Sequence, residues 1–176
     1  MADSRSLHDI AAVIARRRVA AGFILGALVF WFARPTPRTL AIGAVVAIAG
    51  EVMRIWAAGH LEKGREVTAS GPYALTRHPL YLGSALIAAG IVIAAANVAI
   101  AIVVATYFAV TITAAIRTEE AQLTERFGAQ YPAYREGRSR TVRRRFSAAR
   151  AIRNREYRAL AGLALALALL AWKTMP

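Results

Sequence analysis

The stretch VAIAIVVATYFAVTITAAI, residues 98–116, contains nineteen consecutive residues without a charge. A helix rises about 1.5 Å per residue, so this stretch nearly matches the roughly 30 Å hydrocarbon core of a bilayer. Its few polar residues do not form the continuous polar face that a helix of a water-soluble bundle requires. The stretch therefore predicts a transmembrane helix.

Four further apolar runs surround it. The runs at 40–58 and 80–96 reach the roughly 17–20 residues that a membrane span needs. The first run, 19–33, is shorter but follows three arginines whose stems can reach the interface. The last, 159–172, either crosses the membrane or lies in its interface. The fold class predicted is an all-α polytopic membrane bundle, with about five transmembrane helices in one domain over residues 1–176.

Composition agrees with a membrane protein and excludes some chemistry. Hydrophobic residues make up 57% of the chain, and the mean hydropathy is +0.42, which is high for a soluble domain. There is no cysteine, so disulfides, thiolate metal sites and cysteine nucleophiles are excluded. The three histidines are scattered without metal-ligand spacing, so we expect no metal site.

The basic residues predict the orientation. Of the 23 Lys and Arg residues, nineteen lie in the segments 1–18, 59–79 and 117–158. By the positive-inside rule, the N-terminus and both long loops face the cytoplasm. The first apolar run lacks a convincing cleavage site for a signal peptidase. We therefore expect an integral protein of the bacterial inner membrane, with its active site facing the cytoplasm.

Two polar segments lie at the predicted cytoplasmic side of the membrane. SGPYALTRHPLYLG, residues 70–83, leads into the third run, and IRTEEAQLTERFGAQYPAY, residues 116–134, begins where the fourth run ends. The short connection AAAN, 94–97, predicts an antiparallel helical hairpin that brings the two segments together. Gly71-Pro72 signals a turn, and Pro79 suits the first turn of a helix.

These segments carry a family resemblance. GPYALTRHPLYLG, followed by EEAQLTERFGAQYPAY, resembles the integral-membrane methyltransferases related to isoprenylcysteine carboxyl methyltransferase. Their pattern is GxYxxxRHPxYxG and then EExxLxxxFGxxYxxY, and the resemblance covers about residues 54–134. It implies an S-adenosylmethionine (SAM) cofactor at the cytoplasmic end of a small helical bundle. The RHPxY part is also similar to membrane sterol reductases, which implies an alternative NADPH-dependent activity.

The resemblance assigns residues within the motifs 66–83 and 117–134. Glu119 corresponds to the family's acidic SAM ligand. The other cofactor-binding residues that it implies are Glu66, Val67, Tyr73, His78, Pro79, Leu80 and Tyr81. Carboxylates suit the ammonium group of SAM, His78 or Arg77 its carboxylate, and tyrosine rings its sulfonium.

The substrate-positioning arginine departs from the family pattern. The family has it one helical turn before the glutamate pair, where this chain has Ala115. Arg117 lies two residues before Glu119, a rotation of about 200° on a helix. Either Arg117 or Arg54 is the candidate. Arg54 and Glu51 lie at i, i+3 within an apolar run, which indicates either a functional interior or mutual neutralisation.

The remaining basic residues favour lipid over nucleic acid. The segment 138–158 is rich in arginine and adjoins the last apolar run, so we expect it to bind anionic lipids. It lacks aromatic residues interleaved for base stacking. A GxxxG spacing at Gly22 to Gly26 favours close helix packing.

The function predicted is SAM-dependent methylation of a lipophilic acceptor that enters from the bilayer and carries a carboxylate, amine or thiol. The alternatives are an NADPH-dependent membrane reductase and a non-enzymatic lipid-binding protein. The oligomeric state stays open.

Overall fold

A computed structural model describes residues 20–138 and 144–175. These residues form helices and no strands, which confirms the all-α prediction for the described part of the chain. One turn of 3-10 helix, Gly71–Ala74, lies between the second and third helices. The α-helices are α1 Ala20–Phe32, α2 Pro37–His60, α3 Pro79–Ala95, α4 Val98–Phe127, α5 Gln130–Arg135, α6 Ala148–Arg153 and α7 Tyr157–Trp172.

Of the described helices, two are long and apolar enough to cross a membrane. These are α2, with 24 residues, and α4, with 30. At about 1.5 Å per residue, α4 is about 45 Å long, so it continues well beyond the apolar run 98–116. The shorter apolar helices are α1, α3 and α7. Because α4 does not break after residue 116, the glutamate pair lies on a rigid extension of a membrane helix.

Helices α2 and α3 pack with their backbones in contact. A Cβ atom placed on Gly50 would lie 2.6 Å from the carbonyl oxygen of Gly83, and one on Gly90 would lie 2.5 Å from that of Gly43. Small residues permit such close approach of membrane helices. The predicted GxxxG pair does not have this role among the described residues. A Cβ placed on Gly26 would have no described atom outside its own helix backbone within 4 Å, and one on Gly22 would meet the Tyr107 hydroxyl at 3.6 Å.

The connection from α3 to α4 is the predicted antiparallel hairpin. Ala96 ends α3 in the left-handed conformation with φ of +51°. The Asn97 side chain accepts a hydrogen bond from the Ile100 amide at 3.2 Å and donates one to the Phe32 carbonyl at 3.0 Å. It therefore caps α4 and binds the end of α1 at once.

The two ends of the bundle are formed by different segments of the chain. The motif end contains the end of α2, the 3-10 turn, the start of α3, the extension of α4, and helices α5 and α6. The opposite end contains the end of α1, the start of α2, the α3–α4 connection and the end of α7. There Lys173, just after the last helix, donates to the carbonyls of Phe30, Trp31 and Ala33, at 2.8, 3.2 and 2.9 Å.

Candidate active site

The 3-10 turn at the motif end has a backbone fixed by glycine and proline. Gly71 has φ of +61°, a conformation that glycine adopts readily. A Cβ there would also lie 2.6 Å from the ring of His60, which is buried at the end of α2. Pro79 is buried and occupies the first turn of α3, with His78 as the N-cap. The turn therefore presents its side chains from a constrained backbone, as predicted.

The glutamate pair faces this turn. Glu120 Oε1 lies 3.1 Å from His78 Nε2 and 3.7 Å from Arg77 Nη1. His78 and Glu120 are 42 residues apart in the sequence. The two motif segments are therefore neighbours in space, as the hairpin predicted.

Helix α5 holds the turn from its other side. The Tyr134 hydroxyl donates to the Tyr73 carbonyl at 2.7 Å. Tyr131 is buried, and its burial, followed by the adjacent Glu120 carboxylate, raises the pKa of its phenol. Sequence reasoning gave these two tyrosines no role, although they occupy the last two fixed positions of the EExxLxxxFGxxYxxY pattern of the family.

The two glutamates have different surroundings. Glu120 is engaged by His78 and Arg77, whereas the half-buried Glu119 makes no ion pair with any described residue. Tyr73 is buried, and its hydroxyl has no hydrogen-bond partner among the described residues. Burial, followed by the charge of Glu119, raises the pKa of the Tyr73 phenol. Tyr73 is thus a neutral donor with an unused hydroxyl, and Glu119 is a carboxylate with unused acceptor capacity.

The other predicted cofactor residues are distributed around the turn. Tyr81 lies on the first turn of α3, with its ring centroid 5.9 Å from that of His78. Leu80 and Val67 are half-buried. Glu66 has a protein partner, since Arg144 Nη2 donates to its Oε1 at 2.6 Å. The structure brings all of these residues to the motif end, and their role toward a cofactor remains a prediction.

The two candidate substrate arginines differ in accessibility. Arg117 is exposed and makes no ion pair within the described residues. It precedes Glu120 by three residues, so the two side chains are separated by only about 60° around α4. Arg54 instead donates from Nε to Glu156 Oε1 at 2.6 Å and also contacts the Ser84 hydroxyl. Arg54 is therefore already neutralised by the protein.

Part of the basic segment binds the protein. Glu62, just after α2, accepts from Arg150 Nε at 2.8 Å, Arg153 Nη2 at 3.2 Å and Arg144 Nη1 at 3.5 Å. Partial burial alone would raise the pKa of the Glu62 carboxyl, but the hydrogen bond and charges of these arginines lower it below the ordinary value of 4.5. For these three arginines the partners are carboxylates of the protein. Lipid binding by the exposed arginines stays a prediction.

The same segment caps the end of α2. The Asn154 side-chain amide donates to the carbonyls of Ala58 and Leu61, at 2.8 and 3.0 Å. The Ser147 amide donates to the Gly59 carbonyl at 3.1 Å, and the Phe146 ring occupies the space that a Cβ on Gly59 would fill. These contacts satisfy carbonyls that a helix end leaves without partners. Sequence reasoning missed this cap because its donors come from about 90 residues away.

An open cleft of about 480 Å³ lies between the 3-10 turn and α5. Binding sites for small molecules commonly have volumes of about 300–1,000 Å³. The residues that line it include Ala69, Tyr73, Thr76, Arg77, Tyr134 and Arg135. Within this lining, the Arg77 guanidinium and the rings of Tyr73 and Tyr134 fit the carboxylate and sulfonium groups of SAM. Glu119, whose carboxylate suits the ammonium group, does not line the cleft.

Comparison with known proteins identifies the family. A family model described as phospholipid methyltransferase matches residues 18–130. The chain belongs to this family, which confirms the predicted relationship to the integral-membrane methyltransferases and supports association with the membrane.

A curated relative also matches. The cobalt-zinc-cadmium resistance protein CzcN of Cupriavidus metallidurans is 33% identical over 117 residues, which cover 62% of this chain and 54% of that protein. The match thus spans about half the length of the relative. No solved structure matches.

Proposed function

We propose that this chain is an integral-membrane methyltransferase that transfers a methyl group from SAM to a lipophilic acceptor. The observation that carries the proposal is the His78–Glu120 contact of 3.1 Å. It joins two motifs from different parts of the chain, next to Glu119, which makes no ion pair with a described residue. The turn before His78 also lines an open cleft. Membership of the phospholipid methyltransferase family supports the same reaction.

The proposed cofactor contacts follow from the charges of the site. Glu119 binds the ammonium group of SAM, while Glu120 orients His78 and Arg77 toward the carboxylate. The Tyr73 and Tyr81 rings lie next to the sulfonium. Pro79 and Leu80 shape the wall of the site, together with Val67 and Glu66, and Glu66 would share its carboxylate between the cofactor and Arg144.

When bound, SAM supplies an electrophilic methyl group, so the protein's task is to align an acceptor with it. Of the carboxylate, amine and thiol acceptors, we favour an amine on a phospholipid headgroup. The motif end places Glu119, Glu120 and Glu156 near the turn, and Arg54 is neutralised by Glu156. Membership of the phospholipid methyltransferase family supports this choice. Arg117, exposed and without an ion pair among the described residues, is then the better placed of the two candidates to hold the lipid phosphate.

The proposed topology has five spans, formed by α1, α2, α3, α4 and α7, in a single domain over 1–176. The N-terminus and the motif end face the cytoplasm at a bacterial inner membrane, since nineteen of 23 basic residues would then be cytoplasmic. The acceptor enters from the bilayer between helices. Exposed arginines of the basic segment, such as Arg145 and Arg158, contact anionic lipids.

The test is direct binding followed by turnover. The full chain in detergent is titrated with SAM and with NADPH, and labelled methyl transfer is then measured in vesicles of phospholipid with amine headgroups. We expect saturable SAM binding that weakens in His78→Ala and Tyr81→Ala while both variants stay folded. Binding of NADPH but not SAM would instead support the reductase. Unchanged SAM affinity in both variants would remove the proposed site, and binding of neither cofactor would support a non-enzymatic lipid-binding protein.

A further inference from the structure

Glu51 is a buried carboxylate without a hydrogen-bond partner. It lies in α2 with 2% of its surface exposed, and neither of its side-chain oxygens has a hydrogen-bond partner among the described residues. The nearest cation is Arg54, whose Nε lies 4.0 Å from Glu51 Oε2. This distance exceeds that of a hydrogen bond.

Arg54 is committed to a different carboxylate. Its Nε is 2.6 Å from Glu156 Oε1, and its guanidinium also contacts Ser84. Glu156 is itself 6% exposed. Two buried carboxylates therefore share one arginine, and only Glu156 is satisfied by it.

Glu51 is only weakly paired within the described part of the chain. A poorly paired ionised carboxylate is strongly unfavourable in a buried site. Neither Glu51 oxygen accepts a hydrogen bond from a described residue, and Arg54 at 4.0 Å is its ion-pair partner among them. Glu51 therefore retains acceptor capacity for a further cationic donor.

The surroundings of Glu51 connect it to the proposed site. Ser84, which contacts Arg54, donates from its hydroxyl to the carbonyl of Leu80 at 2.8 Å. Glu156 and Arg54 are also close enough for their charges to act on the buried Tyr73 phenol. Glu51, Arg54 and Glu156 are thus linked by ion pairs within the bundle, and the charges of Arg54 and Glu156 act on the Tyr73 phenol at the turn.

We propose that Glu51 is the acceptor-binding residue, which receives the ammonium group of the lipid headgroup and takes one proton from it. This inference rests on the proposed function. Glu51 as a carboxylate plus R–NH₃⁺ gives the carboxylic acid plus R–NH₂. The nitrogen lone pair then forms the N–C bond to the methyl group. The C–S bond breaks, and its electron pair returns to sulfur, which becomes a neutral thioether.

An amine matches Glu51 and its ion-paired neighbours better than the other acceptors. An ammonium group brings a positive charge and several N–H donors to two carboxylates that share one arginine. A carboxylate acceptor would meet two like charges and an arginine already neutralised. A thiol would bring only a weak donor.

The experiment compares Glu51→Gln and Glu51→Asp with Glu125→Gln, which removes an exposed carboxylate from α4. The full-length variants are placed in vesicles of phosphatidylethanolamine-type lipid. Labelled methyl transfer gives kcat and KM, while SAM affinity and thermal stability are measured in detergent. Lipids that carry a carboxylate or a thiol are run in parallel as acceptors.

We expect Glu51→Gln to lower kcat/KM for the amine lipid at least 100-fold, with SAM affinity and thermal stability unchanged. Glu51→Asp keeps the carboxylate and should retain part of kcat with a raised KM. Glu125→Gln should match wild type. If Glu51→Gln does not fold, the Glu51→Asp result decides, because a purely structural carboxylate would alter stability and leave kcat and KM unchanged.

Three outcomes would overturn the inference. Wild-type kcat/KM in a folded Glu51→Gln variant would make Glu51 structural. Turnover of only the carboxylate or thiol lipid would reject the amine while leaving SAM-dependent methyl transfer in place. A wild-type chain that does not bind SAM would reject the proposed function itself, and this inference with it.

Discussion

The α2–α3 pair and the motif end are held together by opposite means. The pair brings backbone against backbone through Gly43, Gly50, Gly83 and Gly90. The motif end is assembled by side chains from distant parts of the chain, such as Glu120 with His78 and Glu62 with Arg150. Dispersion contacts respond little to pH or salt, whereas ion pairs respond to both.

The helix pair and the motif end therefore have different roles. A rigid helix pair fixes the positions at which the charged groups meet. Substitutions in the pair should therefore reduce stability most. At the motif end, substitution of a proposed ligand-binding group should mainly change binding, and substitution of a group that binds another part of the protein should cause a smaller loss of stability.

The largest effect is expected from Gly50→Ala. The added Cβ would lie 2.6 Å from the Gly83 carbonyl oxygen and 2.8 Å from the Ile87 amide nitrogen, so the helices must separate. Overpacking of this kind typically costs about 1–3 kcal/mol, measured as thermal or denaturant stability in detergent. Gly26→Ala is the control, because its added Cβ would have no described atom outside its own helix backbone within 4 Å. Equal stability of the two variants would contradict the proposed importance of the α2–α3 contact.

Next is Glu119→Gln, which removes the free carboxylate and keeps its size. We expect SAM binding to weaken at least tenfold, equivalent to about 1.4 kcal/mol, with stability near wild type. Calorimetric titration measures the affinity. Glu125→Gln, exposed on the same helix, removes the same charge and should bind SAM normally. If both variants bind alike, Glu119 is only a solvated helix residue.

Tyr134→Phe tests the contact between α5 and the turn. It removes the donor to the Tyr73 carbonyl, and such a hydrogen bond contributes about 0.5–1.5 kcal/mol net. We expect a stability loss of about that size and a modest fall in SAM affinity. Tyr157→Phe, at an exposed tyrosine, should leave both unchanged. Wild-type values for Tyr134→Phe would show that α5 does not position the turn.

The smallest expected effect is a change in stability at acidic pH. The pKa of the Glu62 carboxyl is lowered in the folded protein. The ionised carboxylate therefore stabilises the fold at pH values above its ordinary pKa, and this stabilisation is lost as the pH falls through the folded-state pKa. Glu62→Gln should therefore be less stable than wild type near neutral pH, and the two melting temperatures should converge well below pH 4.5. A difference that is the same at neutral and strongly acidic pH would contradict an ionic role.

The motifs predicted which segments form the site, but not which of its side chains contact one another. The sequence placed the RHP turn opposite the glutamate pair because a short AAAN connection leaves only an antiparallel hairpin. It did not reveal that Glu120 contacts His78 while Glu119 makes no ion pair with a described residue. Adjacent helical residues point about 100° apart, so this choice depends on the rotation of α4 about its axis.

The sequence also did not predict which carboxylates the arginines of the basic segment bind. Arg144, Arg150 and Arg153 were assigned to anionic lipid because their segment adjoins an apolar run. Their carboxylate partner Glu62 lies more than 80 residues away. Nothing in local charge spacing indicates such a pair.

The sequence by itself determined the apolar helices and the segments that meet at the motif end. These features depend on apolar run length, on proline and asparagine at helix starts, and on short connections, all of which act within a few residues. Only the tertiary structure decided that Gly50 and Gly83, rather than Gly22 and Gly26, make the close helix contact. It alone also decided that Arg54 binds Glu156 and leaves Glu51 buried without a hydrogen-bond partner among the described residues. Those outcomes depend on the relative rotation and depth of packed helices, which local sequence patterns do not specify.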